Sequence, residues 1–451
     1  MSALSLGEEV TDLLQRLIRV DTTNPPGNET AAAELLRDYL EANGVACELI
    51  AKVPERANLV ARIPGGDGPT LLFLSHTDVV LAEPAEWSLP PFSGELRDGE
   101  VWGRGALDMK GQVAASAVAI ASLAREGFRP SGDLLFAATA DEEVGDDFGL
   151  SWLCREHPDA VRCDFAINEG GGDRLVLTDG TAIYEATAAE KKTAPFRIHV
   201  RGRSGHASMP GIADNALVKA ARLIERLAAF RPEPQLGPEV EGFLRAVLGE
   251  VPPPLEAVER TRALSAAAAD FVEALLGATF SPTIISASSK RNVIPALCVI
   301  EVDCRLLPGQ HPEHIEPFIR AVLDAGSVIG VADDAQRKTR GGDIEYELEW
   351  LEPEGGTRSP LDTPLWQALE EWVAATEPGA RAAPLCGAGF TDSHWLREAF
   401  GTVAYGFFPI TGDMAPEEAA LLVHSADERV PVSDLVLGVD WLRHAARSVL
   451  G

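Results

Sequence analysis

The stretch Leu71-Leu72-Phe73-Leu74-Ser75-His76-Thr77-Asp78-Val79-Val80 runs apolar without alternation and then ends on a histidine and an aspartate. An unbroken run of this length predicts a strand over 70–75 buried on both faces, since a half-exposed strand alternates. Two more runs end on acidic residues in the same way. Residues 133–139 (DLLFAAT) lead into Asp141-Glu142-Glu143, and residues 163–168 (CDFAIN) lead into Glu169. Residues 58–63 are a further strand candidate. Helical patterns lie around and between these runs: Val10, Leu13, Leu14, Leu17 and Ile18 on one face, then 31–43, then the Ala-rich 110–126 with Gly127 as a C-terminal stop. Strands alternating with helices predict an α/β domain, a mostly parallel sheet flanked by helices. In such a sheet the carboxyl ends of the strands line the ligand crevice. His76, Glu142, Glu143 and Glu169 are therefore expected on one edge, though far apart in sequence.

The pattern changes near Thr187. Residues 196–202 alternate, 215–229 are helical, 283–287, 299–306 and 345–351 read as strands, and 312–325 as a helix. This β-α-β-β-α-β order predicts a small α+β, ferredoxin-like domain. Helix–strand alternation returns at 364–375, 403–408 and 432–449. The expected division is a catalytic domain made of 1–188 and 354–451, with 189–353 inserted as a lid. The Pro- and Ala-rich stretch 231–280 keeps helical spacing at Phe243, Leu244, Val247 and Leu248 and reads as a helical extension of the insert.

A chain of 451 residues exceeds one ordinary core and predicts two domains. With 46% hydrophobic and 24% charged residues it has a globular balance. The formal charge of −30, from 39 basic and 69 acidic residues, argues against nucleic acid and anionic membrane as partners. The six cysteines form no CxxC pair and are too few for a disulfide framework. The first twenty residues read as an amphipathic helix rather than a leader, no stretch is long and apolar enough to span a bilayer, and a cytoplasmic location is expected.

His76, Asp108 (in WGRGALDMKG, 102–111), Glu142, Glu143, Glu169 and His424 (in VHSADERV, 423–430) make a donor set of imidazoles and carboxylates without thiolate. Such a set suits zinc, manganese or cobalt. Asp108 is the best candidate for a carboxylate shared by two ions. Asp78, two residues after His76, is placed to fix the imidazole tautomer. Of Glu142 and Glu143, one can bind metal while the other takes a proton from water. Each motif alone has a plain structural reading: a lone His at a strand end is more often structural, and an EE pair is usually a solvated face. The joint occurrence of five such segments argues for a two-metal hydrolytic site.

These segments closely resemble the family of dizinc aminoacylases, glutamate carboxypeptidases, acetylornithine deacetylases and succinyl-diaminopimelate desuccinylases. The resemblance runs over nearly the whole chain, from DTTNPPGNE (21–29) through HTD, DEEVG, NEGG, GRSGHASMP, NVIP, DCR and GFTDS to HSADERV. It implies one metal on His76, Asp108 and Glu169, a second on Asp108, Glu143 and His424, Glu142 as general base and Asp78 behind His76. It also implies a cis Asp108–Met109 peptide bond. In the insert, His206 would act in the site of a second subunit of a homodimer, hydrogen-bonding the developing oxyanion. Arg305 and Asn292 would bind the substrate's carboxylate or carbonyl end; a salt bridge within the domain is the plain alternative for Arg305. The loop Gly387-Ala388-Gly389-Phe390-Thr391-Asp392 departs from the family pattern through the bulk of Phe390, and Asp146-Asp147 replace the glycines that often follow the Glu pair. With this loop, Gly389 and Phe390 included, bordering the pocket, Phe390 would narrow it or add an apolar wall suited to an acyl group, and the resemblance implies a small-molecule substrate with a free carboxylate. The expected activity is N-acyl-amino-acid hydrolysis, with di- or tripeptide or carboxypeptidase cleavage as the alternative. Acetylornithine deacetylation and desuccinylation rank lower because of the long insert. A dimetal phosphoesterase and a non-catalytic homologue are disfavoured, the first by few basic donors and the second by the full set of six positions.

Overall fold

The computed structural model describes residues 4–145, 147–325, 344–412, 414, 418 and 421–451 of the chain. Asp146, one of the two aspartates after the Glu pair, lies outside the described residues, as does part of the insert (326–343).

The larger body is built on a nine-stranded mixed sheet. Eight strands follow the order Ala46–Ala51, Ala57–Ile63, Leu134–Thr139, Leu71–His76, Phe165–Asn168, Val403–Gly406, Ala182–Glu190 and Arg381–Gly387, and Arg174–Val176 pairs with Ala182–Glu190. Leu71–His76 pairs in parallel with Leu134–Thr139 on one side and Phe165–Asn168 on the other. The predicted α/β class is therefore present, with its parallel core at the three strands whose ends carry the acidic and imidazole groups. The unbroken apolar run has a direct cause. Leu71 and Phe73 enter one core, with the helices Leu6–Ile18, Lys110–Arg125, Pro364–Thr376 and Val432–Leu450, while Leu72 and Leu74 enter a second core on the opposite face, with Leu150–Glu156 and Ser393–Phe400. Both faces are covered, so neither parity of the strand can be polar.

In the first of these cores Trp441 is 1% exposed and packs edge-on to Trp372 (5.7 Å) and Phe407 (5.1 Å). Truncation of an aromatic side chain so enclosed costs about 3–5 kcal/mol. Trp441→Ala is thus expected to lower the Tm of the metal-free protein clearly in scanning calorimetry, with the site residues untouched.

The insert carries an antiparallel sheet in the order Tyr346–Trp350, Phe196–Arg201, Leu297–Leu306 and Thr279–Ser286, with the helices Ala216–Ala229 and Pro312–Asp324 contributing to its core. In chain order this is strand, helix, strand, strand, helix, strand, as predicted. Thr279–Ser286 starts four residues earlier than the sequence pattern indicates, and a bulge between Pro282 and Ile284 interrupts its register. It is an edge strand with Ile284 and Ile285 exposed.

The stretch 231–280 does form helices, Pro238–Leu248, Pro254–Leu264 and Ala266–Ala274. Their packing differs from the expected extension of the lid. Val240, Phe243, Leu244, Val247, Val272 and Leu275 share a core with Ile183 and Ala189 and with Ala383, Leu385 and Cys386 of the larger sheet. The reason is the edge strand Arg381–Gly387, whose buried residues need an apolar cover. Lys191, 2% exposed, ties the same helices to the connection between the two sheets by donating from Nζ to the Ala274 and Gly277 carbonyls (3.0 Å each).

Candidate metal centre

Three of the predicted groups arrive at adjacent carboxyl ends of parallel strands. His76 is the last residue of Leu71–His76, Glu142 and Glu143 follow Leu134–Thr139, and Glu169 follows Phe165–Asn168. Glu169 is pressed into place by a neighbouring strand that ends on Gly406, where an added Cβ would stand 1.9 Å from the Glu169 carbonyl oxygen. Asp108 comes from the loop before the helix Lys110–Arg125, and the Asp108–Met109 peptide is cis, as the resemblance implies. That helix is anchored by Lys110, wholly buried, whose Nζ donates to the carbonyls of Leu17 (3.2 Å) and Val20 (2.8 Å); burial pushes its pKa down to about 7. His424 enters from a loop 316 positions further on, with a left-handed backbone (φ 60°).

These segments converge on Asp108. Its Oδ1 lies 3.1 Å from His76 Nε2 and its Oδ2 lies 3.1 Å from His424 Nε2. Glu169 Oε2 is 3.8 Å from His76 Nε2, and Glu143 Oε2 is 3.2 Å from His424 Nε2. Two groups result, His76–Asp108–Glu169 and Asp108–Glu143–His424, each with ligand atoms within 4.8 Å of one another. Glu142 stands beside them, its Oε2 4.0 Å from His76 Nε2.

Asp78 organises the rear of the site. It is fully buried, 3.4 Å from His76 Nδ1, and it accepts the backbone N–H of Glu142 (3.2 Å) and of Glu143 (3.1 Å). Asn24 donates to both Asp78 (2.9 Å) and Asp141 (2.8 Å), and Arg56 joins Asp141 (2.8 Å) to Glu29 (2.6 Å). Asn24, Glu29, Arg56 and Asp141 were not singled out from the sequence. Asn24 and Glu29 lie within the DTTNPPGNE segment and Asp141 begins the DEE run, but nothing local to Arg56 signals its role.

The electrostatics follow from crowding. Burial, then the charge of Glu169, raises the Glu142 carboxyl well above its ordinary range. Burial and the charge of Asp108 push Glu169 up to about 7. Burial also opposes ionisation of Asp108, but hydrogen bonds to His424 and His76 more than offset it and hold its pKa low. Those to Asp108 and Glu143 push His424 up to about 10. Five carboxylates, Asp78, Asp108, Glu142, Glu143 and Glu169, thus face two imidazoles, and among the described residues no Lys or Arg ion-pairs with any of the five. Glu143 Oε1 is buried with no hydrogen-bond partner among the described residues. An orphaned carboxylate oxygen in an anionic nest fits divalent cations, whose charge and vacant coordination positions meet both needs.

The insert's predicted residues do not join this cluster within the chain. His206 is exposed, with Nδ1 2.7 Å from Ser208 Oγ. Asn292 is also exposed, and its carbonyl accepts from Ala207 N. Arg305 is held bidentately by Asp303 (2.9 and 3.0 Å) and donates to Thr193 Oγ1 (2.6 Å). Gly389 is exposed, and half-buried Phe390 packs against His394 (5.8 Å between rings) and close to Gly355, where the insert returns to the larger body. Asp392, from the same loop, adds its charge to those raising Glu142.

The model of peptidase family M20/M25/M40 matches residues 72–448. Among curated proteins the chain is 28% identical over 447 residues to a succinyl-diaminopimelate desuccinylase of Delftia acidovorans, covering 94% of this chain and 93% of that one. It is 26% identical over 435 residues to aminoacylase-1 of Sus scrofa, covering 95% and 92%. Among solved structures it is similar to the M20 family metallo-carboxypeptidase Sso-CP2 of Sulfolobus solfataricus, with a TM-score of 0.68, 17% identity, and coverage of 98% and 99%.

Proposed function

The chain belongs to peptidase family M20/M25/M40, a family of metal-dependent hydrolases, and from that premise we propose that it holds two divalent cations and cleaves an amide bond next to a free carboxylate, with N-acyl amino acids as the preferred substrates. The observation that carries the reading is Asp108, whose two oxygens face two different imidazoles at 3.1 Å each. His76, Asp108 and Glu169 would hold one ion; Asp108, Glu143 and His424 would hold the other. Zinc is the expected metal, with cobalt or manganese as substitutes, because the donors are imidazole and carboxylate. Such ions supply Lewis acidity, polarising a carbonyl and lowering the pKa of water from 15.7 toward about 7.

The chain's own residues then carry the proton. Glu142 accepts it from the attacking water and returns it to the leaving amine. Asp78 keeps Glu142 and Glu143 apart in role by holding both backbone N–H groups, and it orients His76. His206 would serve from a second copy of the chain, donating to the developing oxyanion. Its exposure on the insert and the bare edge strand with Ile284 and Ile285 support a homodimer formed through the lid. Arg305 with Asn292 would meet the substrate carboxylate, Arg305 being released from Asp303 on closure. Phe390 and Gly389 would border the acyl side. The division into 1–188 with 354–451 and 189–353 belongs to the same reading.

A mass-spectrometric screen tests it. Protein reloaded with zinc, cobalt or manganese and given mixed N-acyl amino acids and dipeptides is expected to release a carboxylic acid plus one amino acid. Release of two amino acids would make it a dipeptidase or carboxypeptidase instead. The absence of any product with two ions bound per chain would refute both.

A further inference from the structure

We infer that Glu428 is a positioning residue that locks the loop carrying Asp108 to the loop carrying His424, so that the two cation sites are assembled as one unit; the inference rests on the two-cation reading above. Glu428 is fully buried and lies four residues after His424. Among the described residues, every hydrogen bond its carboxylate accepts comes from the segment that ends in Asp108. Oε1 accepts from the backbone N–H of Leu107 (2.7 Å) and of Asp108 itself (3.1 Å). Oε2 accepts from the backbone N–H of Gly105 (3.0 Å) and from Arg104 Nη1 (2.6 Å). The Glu428 carbonyl also accepts from Gly103 N (2.9 Å). The next residues, Arg429–Pro431, pair antiparallel with Glu100–Trp102, which brings the two loops into register before the carboxylate closes them together.

The chemistry of this clasp calls for a carboxylate. Residues 105–108 lie between a strand and a helix; the Ala106 N–H closes a turn onto the Gly103 carbonyl (3.0 Å), and the other three N–H groups point at one side chain. An ionised carboxylate offers only acceptors, on both oxygens, and Arg104 balances its charge. A glutamine of the same shape would turn an NH2 group onto one of these donors. The Asp108 backbone would then lose a fixed anchor, and with it the placement of both oxygens between His76 and His424. The His424 side chain is half exposed and faces Asp108 and Glu143. A buried carboxylate behind Asp108 thus sets the spacing of the two loops that carry Asp108 and His424.

The test is a cobalt titration of metal-free wild type and Glu428→Gln, read by visible ligand-field absorption and by ion count per chain, at a temperature where circular dichroism shows the metal-free variant folded. Wild type is expected to take two ions. Loss of a group that orients ligands typically costs 10–100-fold in metal affinity, so the variant is expected to bind its second ion at least about tenfold more weakly and with an altered spectrum. A purely structural role would lower the melting temperature and leave affinity and spectrum alone. Two ions bound with wild-type affinity would overturn the inference while leaving the two-cation reading intact. No cobalt uptake by wild type would overturn that reading, and this inference with it. If Glu428→Gln does not fold, Glu428→Asp, which keeps the charge but is one methylene too short to reach all the donors, is judged by the same outcomes. If neither folds, Glu428 is a folding residue and the inference is overturned.

Discussion

Glu142→Gln is expected to keep both ions and lose nearly all turnover. The substitution preserves shape and the backbone bond to Asp78 Oδ1 at 3.2 Å, and Glu142 belongs to neither candidate ligand group. What it removes is the carboxylate that accepts and returns the proton. General acid–base groups contribute about 10²–10⁴-fold, and Glu142 would serve in both directions, so kcat should fall toward the upper end or beyond. The check is kcat measured beside an ion count. A variant with two ions and wild-type turnover would show that Glu142 is not the base. A variant that loses an ion would move it among the ligands.

Asp108→Asn is expected to have the broader effect, lowering both ion content and activity. Asp108 is the one side chain shared by the two groups, and asparagine replaces an anionic oxygen with an NH2 that cannot bind a cation. Lewis-acid stabilisation by a bound ion is worth several kcal/mol, or about 10³–10⁴-fold in rate at about 1.4 kcal/mol per factor of ten. Turnover should therefore fall by at least that much, with fewer than two ions retained on dialysis. Chelation of the wild-type protein should reproduce the loss, and zinc, cobalt or manganese should restore it in the wild type only. Full activity after exhaustive chelation would refute the dependence on metal.

The central strands were legible because their burial leaves no ambiguity. Leu71–His76, Leu134–Thr139 and Phe165–Asn168 are covered on both faces and so read as unbroken apolar runs. The outer strands were harder. Ala182–Glu190 (AIYEATAAE) and Arg381–Gly387 (RAAPLCG) are rich in alanine, which has little strand preference, and their place in the sheet comes from pairing with each other in parallel. The helices of 238–274 were visible as helices, but the surface they cover was not. Helical spacing reports an apolar face and does not name its partner.

The candidate site divides in the same way. Sequence alone determined the donors: two histidines and a surplus of carboxylates, several placed after buried strands, in an order shared with a known family. That much is local, since residue type sets ligand chemistry and strand burial sets which end of the sheet the residues reach. The resemblance implied that Asp108 is shared by the two groups and that Glu143 rather than Glu142 joins His424; tertiary structure supplies the distances, 3.1 Å from Asp108 to each of His76 and His424 and 3.2 Å from Glu143 to His424. Tertiary structure alone decided that Arg305 rests on Asp303, and that Glu428 and the Asn24–Asp141–Arg56–Glu29 network lie hydrogen-bonded behind the candidate ligands. These are distances between segments up to 324 positions apart, set by how the loops close over the sheet, and no local pattern of residues encodes them.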